Sequence, residues 1–442
     1  MTTQSSQSSK SAQSTRSAIR PQVRGISAST FMLLAAWVVA SLEGYDLAVY
    51  GVSVPAILGD PSLGIDKAEA GTIGSLVGIG MLIGAALAGA LVHRTGPRRL
   101  LLTGTAVFSV GMAVCAAAGG VPSFGAGRLV VGLGLGVVLP TINAFVADLS
   151  EPGRRSRNVA LIMSGYAAGA LLSPLLGTAL LPDVSYRWMY VIGVLPVFLA
   201  VPLVLRLPES PFHLSRTGRT AEARMVEEQL GLAPSDASPA SDPGRWLGLG
   251  SLLTGGLAVS TVLFWAMSFC GLLLVFGIST WLPSIMQAAG FSLGSALLQT
   301  AAMWLGVGVG AIVGGRVADA LGAKRVVVVA FLVGTLSLVA MSTRPPTPVM
   351  FVLMFVSGFG FIGSQILGNA FIVTRYPDAV RANGLAWALS VGRFGAIVGP
   401  SLGAFVLTSG AGVEWAFYAF AVPALAGAFA AGAVPRVRAV AA

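Results

Sequence analysis

Two carboxylates stand three residues apart inside a long apolar segment near the start of this 442-residue chain. Glu43 and Asp46 lie in "SLEGYDLAVYG" (41–51), within an apolar run that begins at Phe31. This spacing places both on one face of a helix, with Tyr50 one turn further. A carboxylate at bilayer depth costs about 2.5–3.5 kcal/mol, so each must face a cavity, a partner or both. We expect them to couple transport to protons, with structural pairing as the alternative.

Two arginines also fall within apolar segments. Arg128 stands in "GRLVVGLGLG" and Arg393 in "SVGRFGAIVGP". A guanidinium fork suits the two oxygens of a carboxylate, so each arginine is a candidate anion ligand. The alternatives are packing or gating for Arg128 and interhelical pairing for Arg393.

The composition points to a membrane protein that would hold these charges in helices. Of all residues, 55% are hydrophobic and 10% are charged, and the mean hydropathy is +0.83. A soluble domain carries about 25% charged residues. The net charge of +10 does not indicate nucleic acid, because the basic residues sit singly or in short clusters between apolar spans. Cys115 and Cys270 fall inside apolar runs, so we expect no structural disulfide.

Apolar runs long enough for a hydrocarbon core of about 30 Å recur along the chain. We predict an all-α polytopic membrane protein with twelve transmembrane helices in two six-helix bundles around a central cavity. The predicted spans are 29–57, 69–92, 100–118, 122–147, 158–181, 187–206, 258–287, 293–318, 325–342, 347–374, 383–409 and 413–434.

Five segments follow from these spans. We predict a disordered tail (1–27), an N-terminal six-helix bundle (28–207), a central loop (208–256), a C-terminal six-helix bundle (257–434) and a second tail (435–442). We expect the central loop to form a short amphipathic helix followed by a flexible stretch. No cleavable signal peptide is expected at the N-terminus.

Basic residues fix the expected orientation. Alternate loops and both tails are rich in Arg and Lys, whereas the other loops hold only Lys67, Arg187 and Arg344. Positive loops stay in the cytoplasm, so we expect both termini there and the protein in the cytoplasmic (inner) membrane.

The two halves repeat at a constant shift of 226 residues. The shift lays "GALVHRTGPRR" (89–99) on "GRVADALGAKR" (315–325), and Asn143 on Asn369. Such parallel repeats are typical of transporters that rock about a central site. It also pairs Arg155 with Arg381, which favours a shared structural role. Glu43, Asp46, Arg128 and Arg393 map onto uncharged residues, as expected for groups that serve the substrate and the proton.

An inner-loop motif, Gly-x-x-x-Asp-x-x-Gly-x-Lys/Arg-Lys/Arg, resembles the major facilitator superfamily. It is complete at Gly315, Asp319, Gly322, Lys324 and Arg325. A degraded copy occupies residues 89–99, where His93 replaces the acid.

Narrower motifs resemble the aromatic acid:proton symporters of that superfamily. The first-helix signature stands as Glu43-Gly44-Tyr45-Asp46, Arg128 occupies the fourth helix, and Gly392-Arg393-Phe394-Gly395 leads to Gly399-Pro400. "YPDAVRANGLAW" (376–387) is also similar. The resemblance implies import of benzoate-like or hydroxybenzoate-like anions with protons. Glu43 replaces the usual Asp, which keeps the charge and lengthens the side chain.

From this resemblance we derive a hypothesis for the mechanism. An aromatic carboxylate takes the guanidinium that an acid of the first helix was using, and the freed acid then binds a proton. We expect Asp46 to be the proton site, with Glu43 second. The predicted substrate-binding residues are Arg128, Arg393, Tyr45, Tyr50, Asn143, Phe269, Gln365 and Asn369. The predicted gating residues are Asp148, Arg155, Arg381, Asp319, Lys324, Arg325, Arg94, Arg98 and Arg99.

Other functions receive less support from the sequence. No phosphate-binding loop, metal-ligand cluster or nucleophile with a base is present, so we expect neither an enzyme nor a cofactor. Alternatives are a symporter for another organic or sugar acid, a drug or metabolite antiporter, and a membrane sensor. Gly169, Pro174 and Gly177 echo the fifth-helix pattern of antiporters incompletely. The expected partners are an aromatic carboxylate, a proton and the lipid bilayer, with the protein acting as a monomer.

Overall fold

The structure, a computed structural model, describes residues 28–195, 197–232, 249–254 and 256–435. Twelve helices within these residues are long and apolar enough to cross a membrane, which confirms the predicted all-α fold. They are α1 (Ala28–Leu58), α2 (Lys67–Thr95), α3 (Pro97–Ala117), α4 (Val121–Asp148), α5 (Arg155–Leu180), α6 (Arg187–Val194 and Val197–Leu205), α7 (Ala258–Ala288), α8 (Leu293–Leu321), α9 (Ala323–Ser342), α10 (Thr347–Gly358 and Ser364–Arg375), α11 (Asp378–Thr408) and α12 (Glu414–Ala433).

One of the predicted spans contains an irregular turn. The α10 helix passes through a π-helical turn at Phe359–Gly363 before it continues from Ser364. Such π-turns are rare and occur frequently at functional sites. The α6 span is described on both sides of residue 196, as Arg187–Val194 and Val197–Leu205.

Local signals explain where several helices begin and end. Asp66 and Glu69 form a capping box at the start of α2, with the Glu69 amide donating to the Asp66 side chain over 2.8 Å. Gly96 and Gly322 separate α2 from α3 and α8 from α9, with φ of 82° and 89°. Other residues rarely adopt this left-handed conformation, so both positions require glycine. The two glycines occupy equivalent positions in the sequence repeat.

The segment between the halves forms two short helices instead of the predicted single one. They run over Pro211–Arg216 and Thr220–Leu230, and Gly231 ends the second with φ of 67°. The predicted flexible stretch falls at 233–248, and the two tails at 1–27 and 436–442, all of which lie outside the described residues.

Loops gather at two faces of the bundle. We call the end that holds the α2–α3, α4–α5, α6–α7, α8–α9 and α10–α11 connections the basic face, because its loops carry most of the arginines. The opposite face holds the other connections.

Three helix pairs join the halves: α1 with α7, α2 with α11, and α5 with α8. Their closest approaches involve glycines. A Cβ on Gly51 would collide with the Ser279 backbone, and one on Gly74 would come within 2.8 Å of Pro400. A Cβ on Gly177 would lie 3.4 Å from Leu297, at van der Waals contact. All three contacts lie in the halves of these helices nearer the opposite face, so the bundle is closed there.

Candidate functional site

A buried cavity lies between the halves, near the middle of the spans. Most of its lining comes from the N-terminal half, and α7 supplies the remainder. Its free space admits about one or two water molecules. The lining residues are Glu43, Asp46, Leu47, Tyr50, Gly74, Val77, Met81, Arg128, Leu135, Tyr166, Phe276 and Thr280.

Asp46 and Arg128 form an ion pair at this cavity. The Arg128 Nη1 donates to Asp46 Oδ1 over 2.8 Å, and their side chains are 4% and 0% exposed. The Tyr50 ring covers the guanidinium, with its centroid 4.7 Å from Cζ. Tyr50 is itself held, because its hydroxyl donates to the Ala70 carbonyl over 2.5 Å. Breaking such a pair would leave a buried, uncompensated charge.

Glu43 lies beside this pair without a direct partner of its own. Its side chain is 3% exposed, and its Oε2 has no hydrogen-bond partner among the residues that the structure describes. The charges that act on it are those of Arg393 and Asp46. Glu43 therefore depends on a cation from the other half of the molecule.

Arg393 reaches across from α11 to the N-terminal half. Its Nη1 donates to the backbone carbonyl of Met81 on α2, and the side chain is partly buried. The guanidinium thus bridges the halves while it interacts electrostatically with Glu43. Sequence reasoning identified Arg393 as an anion ligand but gave no signal for the Met81 carbonyl, because any residue presents one.

The other predicted substrate-binding residues are distributed more widely. The Tyr45 hydroxyl donates to the Met189 carbonyl over 2.8 Å, so it packs α1 on α6 instead of lining the cavity. Phe269 is partly buried and packs against Gly395. Gln365 donates to Asn369 over 3.2 Å on α10. Asn143 keeps a buried Oδ1 with no partner within the described part of the chain.

Several cavity residues carried no distinctive sequence signal. Met81, Phe276 and Thr280 line the cavity but are ordinary residues of apolar spans. Their positions depend on how the two halves dock, which local sequence does not encode. Tyr166 is recognisable only as an aromatic on the fifth span.

The predicted gating residues lie at the basic face. Ser210 donates to Asp148 over 2.8 Å, the Arg98 amide donates to Glu209 over 3.1 Å, and Lys324 donates to the Val434 carbonyl over 2.6 Å. Their gating role stays a prediction. Arg94, Arg99, Asp319 and Arg325 are exposed, Arg381 is half-buried, and the side chain of Arg155 lies outside the described residues.

Comparison with known proteins identifies the family to which this fold belongs. The sequence profile described as Major Facilitator Superfamily matches residues 36–306 and 269–441, which together span most of the chain. This chain belongs to the Major Facilitator Superfamily. It is therefore a transporter and not an enzyme, and the fold expected from the inner-loop motif is confirmed.

Curated relatives of this facilitator are transporters of aromatic acids, so the narrower resemblance seen in the sequence is also confirmed. The gentisate transporter of Corynebacterium glutamicum is 31% identical over 90% of this chain and 86% of its own length. The benzoate transport protein of Acinetobacter baylyi is 29% identical over 87% of this chain and 85% of its own. The gallate transporter of Pseudomonas putida is 30% identical over 90% of each.

Solved structures share the fold. The partially occluded, inward-open xylose transporter XylE of E. coli superposes with a TM-score of 0.72, covering 93% of this chain and 100% of that one. A D-xylose-proton symporter gives 0.72 over 92% and 98%. The identities, 19% and 20%, are too low to transfer more than the fold.

Proposed function

We propose that this facilitator imports an aromatic carboxylate, such as a benzoate or hydroxybenzoate, together with a proton across the cytoplasmic membrane by alternating access. The observation that carries the proposal is the buried group of Glu43, Asp46 and Arg128 that lines the central cavity, with the positive charge of Arg393 acting on Glu43. The named substrates of the relatives support the aromatic part. The two intramembrane arginines favour an anion over a lipophilic cation.

The charges of this group suggest why a proton must accompany the acid. Glu43, Asp46, Arg128 and Arg393 balance one another when all are ionised. An entering carboxylate would leave one uncompensated negative charge in a buried site, which is costly. One proton restores the balance, so we expect a stoichiometry of one proton per anion.

The two arginines offer the substrate unequal access. Arg128 is 4% exposed, paired with Asp46 and covered by Tyr50. Arg393 is only partly buried, and it interacts with Glu43 electrostatically without a hydrogen bond. We therefore place the substrate carboxylate on Arg393, where the guanidinium can meet two oxygens.

This assignment favours Glu43 as the proton site, ahead of Asp46. When the substrate takes Arg393, Glu43 loses its counter-ion inside a buried cavity, and a neutral carboxyl is cheaper to bury there. Asp46 keeps its partner throughout. The order is the reverse of the one expected from the sequence, where the two acids could not be distinguished by their partners.

Substrate access requires a change of shape. The cavity admits about one or two water molecules, which is far too little for an aromatic acid. The glycine contacts close the bundle at the opposite face, so we propose that substrate leaves at the basic face. With that face in the cytoplasm, as its arginines favour, the described conformation belongs to the inward-facing side of the cycle.

The test is uptake of labelled benzoate, hydroxybenzoates and a sugar acid into cells, with and without a protonophore. We expect accumulation of at least one aromatic acid that collapses when the proton gradient is removed. Accumulation of the sugar acid alone, or proton-driven loss of preloaded aromatic acid, would replace the proposal with another symporter or an antiporter. Cells carrying an empty vector provide the baseline.

A further inference from the structure

Two amide side chains on α10 form a polar pair within an otherwise apolar helix. The Gln365 Nε2 donates to Asn369 Oδ1 over 3.2 Å, and Gln365 is only 8% exposed. This leaves the Gln365 Oε1 as an acceptor and the Asn369 Nδ2 as a donor, neither with a partner among the described residues. An amide pair that leaves one acceptor and one donor open can bind a further polar group. If both amides were flipped, one donor and one acceptor would still remain.

The surrounding backbone is arranged to admit this pair. A Cβ on Gly271 of α7 would collide with the Gln365 Oε1, so glycine provides the space that the amide occupies. The π-helical turn at Phe359–Gly363 ends two residues before Gln365. A π-turn shifts the facing of all later side chains, and proteins retain such turns frequently for function.

Contacts between α7 and α10 show the height of Gln365 and Asn369 along the axis of the bundle, which we call their level. Met267 lies 3.0 Å from the position of a Cβ on Gly368, and Gly271 meets Gln365. The two helices are antiparallel, so rising residue numbers in α7 lie beside falling residue numbers in α10. Phe269 is therefore level with a position next to Gln365.

Contacts between α7 and α11 bring Arg393 to the same level. These helices run in the same direction, and a Cβ on Gly392 would lie 3.0 Å from the Ser268 carbonyl. The Gly395 position packs against the carbonyl of Phe269. Arg393 thus shares its level with Phe269 and, through α7, with Gln365.

An aromatic layer follows one turn nearer the basic face. The rings of Trp265 and Trp387 lie 6.1 Å apart at 39°, and Trp265 Nε1 is buried without a partner in the described part of the chain. The same alignment of α7 with α10 places Asn369 at about the height of Trp265 along the bundle. Four residues of helix separate the two levels by about 6 Å, close to the span from the carboxylate of a benzoate to a hydroxyl across its ring.

We infer that Gln365 and Asn369 bind a hydroxyl group on the ring of the transported acid. A phenolic hydroxyl both donates and accepts, which matches the acceptor and the donor that the pair leaves open. The substrate class is then an aromatic acid with a hydroxyl at the 3- or 4-position, and unsubstituted benzoate is a poorer substrate. This inference rests on the proposed function, with Arg393 as the carboxylate ligand.

The test compares uptake of labelled 4-hydroxybenzoate, 2-hydroxybenzoate and benzoate, expressed as ratios of kcat/KM within one variant. These ratios do not depend on how much protein reaches the membrane. We expect the unmodified protein to favour 4-hydroxybenzoate over benzoate by about tenfold, the value of one net hydrogen bond. The 2-hydroxy acid bonds to its own carboxylate and should behave like benzoate.

Gln365→Met and Asn369→Leu remove the amides and keep similar volumes. We expect each to bring the ratio of 4-hydroxybenzoate to benzoate close to one, because the ring hydroxyl loses its hydrogen-bond partners. Gln287→Met, at the exposed end of α7, is the matched control and should keep the original ratio.

The outcomes distinguish a failure of the hydroxyl site from a failure of the proposed function. An unchanged ratio in both variants, an equal loss of all acids in both, or no preference in the unmodified protein overturns the hydroxyl site while aromatic import stands. Failure of the unmodified protein to take up any of the three acids overturns the proposed function and this inference with it.

Discussion

Glu43 and Asp46 belong to one helical face but differ in what they touch. Asp46 has a hydrogen-bonded cation at 2.8 Å, whereas Glu43 has a buried oxygen without a partner among the described residues. This difference in partners gives the two acids different roles in the proposed transport cycle. Asp46 holds Arg128 in place, and Glu43 exchanges a counter-ion for a proton.

Glu43→Gln should separate transport from the proton gradient. Glutamine keeps the size of the side chain but cannot bind and release a proton. We expect proton-driven accumulation of labelled substrate to fall at least about tenfold, with exchange of internal for external substrate retained. Glu43→Asp, which keeps the carboxylate, is the control. Full accumulation in Glu43→Gln, together with its loss in Asp46→Asn, would move the proton site to Asp46.

Arg393→Lys should weaken substrate binding without abolishing turnover. Lysine keeps the positive charge but loses the planar fork that meets two carboxylate oxygens. We expect KM for the aromatic acid to rise about tenfold, with kcat changed less. Arg344→Lys, at an exposed ion pair with Glu414, should leave both unchanged. A normal KM in Arg393→Lys would remove Arg393 from the substrate site.

Arg128→Met should act mainly on stability. Removing one member of a buried ion pair leaves the other uncompensated, at a cost of about 3–5 kcal/mol. We expect a lower melting temperature in detergent, measured by thermal unfolding. Adding Asp46→Leu should restore much of that loss without restoring transport. If the single variant melts normally, the pair contributes less than its burial implies.

The sequence anticipated part of this site. Intramembrane charge and a family signature identified Glu43, Asp46, Arg128 and Arg393 as candidate site residues. The pairing of Arg393 with the Met81 carbonyl was not predictable, because it depends on the docking of the two halves. The Tyr45 hydroxyl was assigned to the substrate, but it hydrogen-bonds to α6.

At the level of helices, the packing of α2 against α11, which we call the seam, depends on small residues of α2. Gly71, Gly74 and Gly78 of α2 face Ala404, Pro400 and Ile397 of α11. Ser75 adds hydrogen bonds to the Ile397 carbonyl at 2.5 Å and to Ser401 at 2.8 Å. The seam closes the opposite face only because the two backbones can approach this closely.

Gly74→Val should hold that face open. A Cβ at Gly74 already lies 2.8 Å from Pro400, and a branched side chain extends the clash. With Thr280→Cys in the cavity as reporter, we expect labelling by a bulky, membrane-impermeant thiol reagent to accelerate about tenfold, a shift of about 1.4 kcal/mol in the opening equilibrium. Gly294→Val is the control, since nothing lies within 4 Å of its Cβ position. Equal rates in both variants would contradict the gate.

Apolar length and turn residues were sufficient to locate the twelve helices, but not the irregular turn within α10. The π-turn at Phe359–Gly363 lies in a run as apolar as any other, so composition gives no sign of it. The two short helices after Ser210 were expected as one, although Gly218, whose φ is 79°, stands between them.

For the whole molecule, the balanced charges predict electroneutral transport. One anion and one proton would cross together, so no net charge moves. We expect uptake into proteoliposomes to follow an imposed pH difference and to change less than about twofold when a potassium gradient with valinomycin sets the voltage. A steep voltage dependence would mean that more than one proton accompanies each anion.

The same balance of two acids against two arginines has a consequence for the cell. A carrier that moves no net charge draws nothing from the electrical part of the proton-motive force. On the proposed scheme, its accumulation limit follows only the difference in acidity between the two sides of the membrane. A cell in neutral or alkaline surroundings would then concentrate little of the compound through it, whereas a cell in a mildly acidic medium would concentrate it strongly.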